Sequence, residues 1–424
     1  MSDSKPTVRL NLRWLPGLMA LLFVLQLLAP YRGWTILFIG LGSVWLLGYG
    51  WARSLGRGLR LTREMRYGWA QVGDRLEERF TLSNHSWLPA LWVEVRDHST
   101  LPGYVVSTAT GISAQSSNTW LTHGVCARRG LFTLGPTTLR SGDPFGIFSV
   151  VVPLSASATL VVMPPVVPLP TIEVAPGGRT GEGRRTRAVS EPTVSASRVR
   201  DYRSGDDARW IHWRTSARRD ELFVRMFDSA PAGDWSIVLD LDAKAQRGEG
   251  QDATIEHGVI LAASLAERGL RMGRAVGLLA AGGEAVWLAP QTGEAQRWKI
   301  LRALTTVNFG ARSLGDVLAQ TRTSFRQAMS LIIITPAADG AWLASLMPLL
   351  RLGIVPTILL LDPQSFGGDG VTHQTVARLR ELGVAHYVIT RDLLDRPELR
   401  AGQQGQWEWR VGGTGRAVAV KQPR

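Results

Sequence analysis

The sequence predicts a membrane-anchored, multidomain protein with a transmembrane helical hairpin, a β-sandwich module and an α/β domain that has a mostly parallel sheet. Two uncharged runs near the N-terminus predict the hairpin, which with its basic flanks occupies residues 1–58. Alternating polar and apolar residues predict the strands of the sandwich over residues 59–165. Apolar strands that alternate with amphipathic helices predict the α/β domain over residues 198–400.

The composition narrows the possible functions. The chain of 424 residues has a formal net charge of +13, which favours contact with lipid headgroups, nucleic acid or an acidic protein. Its single cysteine, Cys126, excludes an intramolecular disulfide and argues against an oxidising compartment. The sequence also has no Cys/His cluster of the kind that forms a structural zinc site.

The hairpin prediction depends on Leu15–Pro30 and Trp34–Ala52, which carry no charged residue. The second run is long enough to cross a bilayer core of roughly 30 Å, and the first is at the short limit. Basic residues flank both runs, whereas the turn has only Arg32. The positive-inside rule therefore places both ends, and the bulk of the chain, on the cytoplasmic side of the plasma (inner) membrane. The alternative is a cleaved signal peptide followed by one anchor.

A basic segment follows the second apolar run. Arg53, Arg57 and Arg60 are spaced to share one face of a short helix that leaves the membrane. Such a face either attracts anionic lipid or only determines the topology.

Residues 59–165 read as short strands separated by turns. Leu76–Leu82 and Leu91–Val95 alternate in polarity, and Ser155–Met163 forms the last strand, which together favour an immunoglobulin-like β-sandwich. Phe145 and Phe148 are expected to pack in the core or between domains.

Residues 166–197 are rich in Pro, Gly, Arg and Ser and have few apolar residues, so they are predicted to form a linker. At the other end of the chain, residues 401–424 are predicted to be a poorly ordered tail.

The α/β domain begins its sheet with Trp235–Asp242, an apolar strand that ends in two carboxylates, and a helix is predicted over Asp252–Gly269. The other predicted strands are Ala275–Ala280, its antiparallel companion Ala285–Leu288, Ser330–Thr335, Val355–Leu361 and His386–Thr390. In sheets of this type ligands bind at the carboxyl ends of the strands.

A stretch dense in Arg, Asp, Tyr and Trp, with one His, precedes the first strand of this sheet. Its signature residues are Arg200, Asp201, Tyr202, Gly205, Asp206, Arg209, Ile211, His212, Trp213, Ser216, Ala217 and Arg218. One interpretation is a structural brace, in which Tyr202, Ile211 and Trp213 anchor the stretch against the sheet. A docking surface for a partner is a second interpretation, and the two are compatible.

Two further hypotheses concern the same stretch. The arginines and aromatic residues of 198–219 could bind phosphate or nucleic acid, but the interspersed carboxylates would repel phosphate. His212 could act as the base of a hydrolase, but no Ser or Cys nucleophile lies in an activating turn and no P-loop is present. The sequence therefore predicts no catalytic residue, no cofactor and no nucleic-acid partner.

The signature, the paired apolar runs and the Asp-Pro-Phe-Gly-Ile-Phe turn together resemble the bacterial family called domain of unknown function 58. The resemblance implies that the C-terminal half is a von Willebrand factor A-like domain. It also implies a MoxR-type AAA+ ATPase as partner, and a membrane-bound transglutaminase-like protein as a possible second one. Since the family has no defined activity, the resemblance implies a non-enzymatic scaffold or adaptor.

Von Willebrand A domains that bind Mg²⁺ end their first strand in Asp-x-Ser-x-Ser, and the equivalent residues here are Asp240, Asp242 and Lys244. An ammonium group cannot ligate a cation, so no metal is expected, and Lys244 could instead neutralise the two aspartates. The alternative is that the two carboxylates hold Mg²⁺ weakly. Thr335, with Asp339 four residues later, departs from the Thr-Asp-Gly pattern of metal-binding relatives. Thr305 or Thr306 is the candidate for the loop threonine.

Overall fold

The structure is a computed structural model that describes residues 6–169, 172–175, 196–202, 211–219, 221–227, 234–321, 329–352, 354–394, 407–411 and 417–421. The chain forms two compact units. The first comprises Met1–Met163 with Pro397–Arg424, and the second comprises Pro164–Arg396.

The N-terminal part of the first unit is helical and is followed by a succession of strands. The helices are α1 Leu15–Leu28 and α2 Arg32–Gly58. The strands are β1 Thr7–Leu10, β2 Leu59–Met65, β3 Trp69–Gln71, β4 Arg75–Asn84, β5 Ala90–Asp97, β6 Thr108–Ile112, β7 Ser116–Val125, β8 Gly130–Leu134, β9 Thr137–Gly142, β10 Phe148–Leu154 and β11 Ala158–Met163.

Helices α1 and α2 lie side by side and run in opposite directions. The rings of Phe23 and Phe38 are 5.8 Å apart, and the Met19 side chain lies beside Gly42, so residues later in α1 meet residues earlier in α2. Helix α2 is long and apolar enough to cross a membrane, whereas α1 is a shorter apolar helix of 14 residues. Among the described residues, one helix therefore meets the requirement for a membrane span.

Helix α2 continues past the predicted apolar run and ends at Gly58, directly before β2. The predicted short helix with three arginines on one face is therefore wrong, because Arg60 lies on β2 while Arg53 and Arg57 lie on α2.

The strands of the first unit form three sheets, with the orders β1-β10-β9-β5-β6, β2-β4-β7 and β3-β11-β8. The sheets are antiparallel except where β3 pairs with β11. The structure thus confirms that this part of the chain is rich in β-strands, whereas the immunoglobulin-like arrangement of the strands stays a prediction. Phe148 is buried as predicted, but Phe145 is 52% exposed and therefore does not pack in the core of this unit.

The second half of α2 belongs to the core of this unit. Ala52 and Leu55 are fully buried in the cluster that contains Val93 and Val150 from the five-stranded sheet. Trp45 and Tyr49 both pack edge-on against Phe148, with ring centroids 5.6 Å apart in each pair. The C-terminal turns of α2 are therefore packed on the five-stranded sheet.

The second unit contains an α/β sheet and a small separate ribbon. Its strands are β12 Ala196–Asp201, β13 Phe223–Phe227, β14 Trp235–Leu239, β15 Val276–Ala281, β16 Ala285–Gln291, β17 Ser330–Thr335, β18 Val355–Leu361 and β19 Ala385–Ile389. Its helices are α3 Trp213–Arg219, α4 Thr254–Arg271, α5 Glu294–Thr306, α6 Leu314–Thr321, α7 Leu343–Arg351, α8 His373–Glu381 and α9 Arg391–Leu394. Short 3₁₀ turns occupy Gly250–Asp252 and Pro363–Phe366.

The large sheet has the order β16-β15-β14-β17-β18-β19, and all its strand pairs are parallel except the edge pair of β15 and β16. Both faces are covered, which explains the continuous apolar sequences of the strands. Val238 and Ile333 pack in the cluster with Leu346 of α7, whereas Leu239 and Ile334 face α4 at Gly258. The predicted alternation of strands and helices, including the antiparallel edge strand, is confirmed.

The first described residues of the predicted linker are held against the second unit. The backbone N–H of Val167 donates to Ser264 Oγ, and that of Ala175 donates to Thr357 Oγ1, each at 2.9 Å. The Arg-rich remainder, residues 176–195, lies outside the described residues.

The predicted disordered tail contains an antiparallel strand pair, β20 Trp407–Val411 and β21 Ala417–Lys421. The pair occupies two short segments of the predicted tail, and the poor order of the tail stays a prediction.

Candidate functional site

The large sheet reverses its strand order between β14 and β17, and Asp240 and Thr335 lie at the carboxyl ends of these two strands. Thr335 Oγ1 donates to Asp240 Oδ2 at 2.6 Å, and the backbone N–H of Asp242 donates to Asp240 Oδ1 at 3.0 Å. Such a reversal leaves a crevice at the carboxyl edge, where α/β proteins commonly bind ligands.

Asp240 is a buried acid with only neutral donors around it. Burial raises the pKa of Asp240 to about 6, although the hydrogen bonds from Thr335 and Asp242 favour the charged form. The carboxyl group can therefore gain or lose a proton close to neutral pH.

A cleft of about 740 Å³ opens above Asp240. Its titratable lining residues are Asp240, Asp242, Lys244, Arg247, Asp316, Asp339, Asp369 and His373. Lys244 is exposed and forms no ion pair with Asp240 or Asp242, so the predicted neutralisation of these carboxylates by Lys244 is wrong. The lysine points its charge to solvent, where the cost of desolvating an ammonium group is avoided.

Several oxygen atoms at this edge are engaged in hydrogen bonds within the fold. Both carboxylate oxygens of Asp240 already accept hydrogen bonds, and the hydroxyl of Thr305 donates to the Leu301 carbonyl within α5. In the part of the chain that the structure describes, no three His, Cys, Asp or Glu side chains are grouped to hold a metal ion.

The signature stretch forms a ribbon and a short helix. β12 pairs antiparallel with β13, and Ile211 makes an isolated bridge to Val224. The backbone N–H of Tyr202 donates to the Leu222 carbonyl at 2.8 Å, which closes the ribbon at its end.

Ser216 ties helix α3 to strand β13. Its hydroxyl donates to the His212 carbonyl at 3.2 Å and accepts the backbone N–H of Phe223 at 2.9 Å. The side chains of Ile211, Ser216 and Phe223 are buried, so they form the internal side of this segment.

His212 begins helix α3 as its N-terminal cap. Its Nδ1 accepts the backbone N–H of Thr215 at 3.2 Å and lies 2.7 Å from the Thr215 hydroxyl. The Thr215 N–H also donates to the His212 carbonyl at 3.0 Å, so the backbone and the side chain of His212 both hold the first turn of α3. Capping is the contact that the structure shows for the single histidine of the signature.

The predicted anchoring by Trp213 is wrong, because its side chain is 66% exposed. Tyr202 is 37% exposed, and Ala217 and Arg218 are also exposed. The backbones of Arg200 and Asp201 lie on β12, whereas Gly205, Asp206 and Arg209 fall outside the described residues. Phe223 is a buried partner of the segment that the sequence analysis missed, although it is an apolar residue just beyond the signature.

Residues 198–343 match the family model described as protein of unknown function DUF58. No curated protein matches the chain. Solved structures with some likeness include a CARDB domain from Pyrococcus furiosus, with 14% identity, a TM-score of 0.19, and coverage of 25% of this chain and 94% of that chain. A second is an aerotolerance-related membrane protein from Bacteroides fragilis, with 16% identity, a TM-score of 0.23, and coverage of 45% of this chain and 81% of that chain. A third is proximal thread matrix protein 1 from the mussel byssus, with 13% identity, a TM-score of 0.27, and coverage of 39% of this chain and 44% of that chain.

Structural scores of this size carry no argument about fold or function. The family match is independent of them and begins at Arg198, where the signature stretch begins. Over residues 198–343, the chain is therefore similar to the DUF58 family, which its signature stretch resembles.

Proposed function

We propose that this protein is a membrane-tethered, non-enzymatic scaffold or adaptor that works with a MoxR-type AAA+ ATPase in the assembly or maturation of client proteins. In this proposal α1 and α2 form a transmembrane hairpin in the plasma (inner) membrane, and the rest of the chain is cytoplasmic. The second unit acts as a von Willebrand factor A-like interaction domain. A membrane-bound transglutaminase-like protein is a second candidate partner.

The observation that carries the adaptor proposal is the outward face of α3. Trp213 is 66% exposed, and Arg214 and Arg218 on the same short helix are exposed as well. Tryptophan and arginine are the residue types most enriched among those that dominate binding energy at protein interfaces. The internal contacts of Ser216 and Ile211 hold this face in place, so it is presented by a fixed segment.

The chemistry of this face favours an acidic protein surface. Arginine forms paired hydrogen bonds with carboxylates, and an indole ring supplies a large apolar area at little entropic cost. Nucleic acid is a weaker fit, because Asp201 and Glu221 are exposed in the same segment and carry the charge that phosphate avoids. The MoxR-type ATPase is named on the family resemblance.

A co-purification experiment with the detergent-solubilised full chain tests the proposal. The double variant Trp213→Ala, Arg214→Gln should reduce retention of the ATPase roughly 30-fold, since truncation of such a residue costs about 2 kcal/mol or more. The matched control is Trp87→Ala, which removes an indole that is 75% exposed in the first unit.

The control variant should retain the ATPase as the unchanged chain does, and the melting temperatures of both variants should be unaltered. Equal retention by the unchanged chain and the double variant would show that α3 is not the docking surface. Absence of binding by the unchanged chain itself would reject the ATPase as partner.

A further inference from the structure

A groove of about 560 Å³ on the first unit is lined by four arginines, Arg9, Arg13, Arg96 and Arg140. We name it the arginine groove. Its other lining residues are Leu10, Asn11, Thr138, Ser149 and Val151. No residue of the signature stretch or of the cleft above Asp240 belongs to it.

The strand register brings three of these arginines to one face of the five-stranded sheet. Arg9 lies opposite Ser149, Arg140 lies opposite both Val151 and Glu94, and Arg96 lies opposite Thr138. Directly paired residues of antiparallel strands point to the same side. The core residues Val8 and Val150 alternate with them and point to the other side, so the arginine face is the outer face.

The groove has more positive charge than its surroundings neutralise. Glu94 accepts from Arg96 at 2.6 Å and lies 3.9 Å from Arg140. Arg9 and Arg13 are exposed, and neither forms an ion pair with any residue that the structure describes. Guanidinium groups that face one groove in this way match the oxygens of a phosphate group.

The groove opens where the sheet meets the apolar helices. Arg13 is two residues before the start of α1, and the neighbouring Trp14 is 61% exposed. The loop after β9 lies at the same end, because Asn11 donates from its backbone and its side chain to carbonyls of Ile147 and Gly146. Asp143 accepts backbone N–H groups within that loop and so fixes the turn that exposes Phe145.

Exposed aromatic rings beside arginines, at the end of an apolar helix, are characteristic of the lipid headgroup layer. We propose that the arginine groove binds the phosphate of an anionic phospholipid headgroup at the membrane surface. This inference rests on the proposed membrane tether and adds a lipid preference to it. A headgroup in the groove would be held by Arg9 and Arg140 while its acyl chains lie along the apolar surface of α1.

The test is a titration of the full chain, in maltoside micelles, with short-chain phosphatidylglycerol and with phosphatidylcholine of equal chain length. Phosphatidylglycerol should bind at least tenfold more tightly. The double variant Arg9→Gln, Arg140→Gln should lose at least tenfold in phosphatidylglycerol affinity and keep its phosphatidylcholine affinity. The control variant Arg75→Gln, Arg79→Gln removes the same charge from exposed positions on β4 and should change neither value.

Equal affinity for the two lipids would overturn the inference. An equal loss of phosphatidylglycerol affinity in the groove variant and in the control variant would also overturn it. Glycerol phosphate should displace the bound phosphatidylglycerol only at concentrations at least a hundredfold above that of the lipid. Competition at the concentration of the lipid itself would show that the groove is a site for soluble phosphate compounds and reject the lipid assignment.

Alkaline carbonate extraction of membranes that contain the unchanged chain tests the tether separately. Release of the chain into the supernatant would reject the tether, whatever the micelle titration shows. If the chain stays in the membrane but binds both lipids equally, the membrane tether is supported and only the lipid-binding role of the groove is rejected.

Discussion

Arg63 and Asp240 are both held in the protein interior, but different neighbours stabilise their charges. The Arg63 guanidinium donates to both carboxylate oxygens of the fully buried Glu78, at 2.8 and 2.7 Å, and to Asp97 at 3.0 Å. Burial opposes its charge, yet the hydrogen bonds and charge of Glu78 raise the pKa of Arg63. Asp240 has no such cation, so burial dominates and its pKa rises.

This difference leads to a pH-dependent stability of the second unit. The pKa of Asp240 is about 6 in the folded chain and about 3.9 in an unfolded one. Because the pKa is higher in the folded chain, Asp240 takes up a proton when the chain folds at a pH between these two values. The contribution of Asp240 to stability is therefore fully present below pH 4 and is lost as the pH rises through 6.

The variant Asp240→Asn should remove this dependence, because asparagine cannot ionise. Its free energy of unfolding relative to the unchanged chain should increase from pH 4 to pH 7, by up to about 3 kcal/mol. Urea unfolding of both chains at several pH values measures the difference. A difference that stays constant over this range would mean that Asp240 titrates in the folded chain as it does in water.

For helix α3, the sequence predicted the importance of the segment but not which of its side chains are buried. It has only seven residues, too few for a stable isolated helix, so its stability must come from contacts outside it. Hydrophobicity alone favoured burial of Trp213. The side chain is nevertheless 66% exposed, although it lies three residues before the buried Ser216, so helical spacing alone does not explain its exposure at the first position of α3.

The long apolar elements were predictable and the β-rich module less so. Continuous apolar strands such as Ser330–Thr335 could be assigned because burial on both faces leaves a strong pattern. The division of the first unit into three sheets depends on pairings between distant segments, such as β1 with β10, which local periodicity does not encode. The arginine groove was missed for the same reason, since three of its four arginines come from three separate strands.

At the candidate site, the sequence identified Asp240 from its position at a strand end, and the signature from its composition. It did not reveal that Thr335 binds Asp240, because that contact requires the parallel pairing of β14 and β17. It also assigned Lys244 to the aspartates, whereas the desolvation cost of an ammonium group keeps that side chain in solvent.

The Ser216 hydroxyl gives a test of the brace at element scale. Ser216→Ala leaves the buried N–H of Phe223 without its acceptor, at a cost of about 1–3 kcal/mol. Amide hydrogen exchange should accelerate in β13 and α3 and remain unchanged in β14. The control Ala217→Ser alters an exposed position of the same helix and should leave exchange in β13 as it is. Unchanged exchange in the Ser216→Ala chain would show that this hydroxyl does not hold the segment together.

At the scale of the whole molecule, the apolar helices serve two purposes. Towards the turn that joins α1 and α2, the two helices expose large apolar side chains that lipid would cover. These are Leu21, Phe23, Leu28 and Ile36. Leu15, Ala52 and Leu55 are instead buried in the core of the first unit. The apolar helices and the β-rich module therefore share one core, while the second unit has its own core around β14 and β17.

A truncation series tests this shared core. A fragment of residues 59–163 lacks both helices and the edge strand β1, and it exposes the apolar face that Ala52 and Leu55 cover. Loss of each large buried side chain from a core costs about 2–5 kcal/mol, and a domain has only about 5–15 kcal/mol in total, so this fragment should not fold. A fragment of residues 164–396 keeps its complete core and should be soluble without detergent and melt cooperatively. Circular dichroism and size-exclusion chromatography measure both outcomes. A folded, monomeric 59–163 fragment would show that the helices are attached to the β-rich module without being part of it.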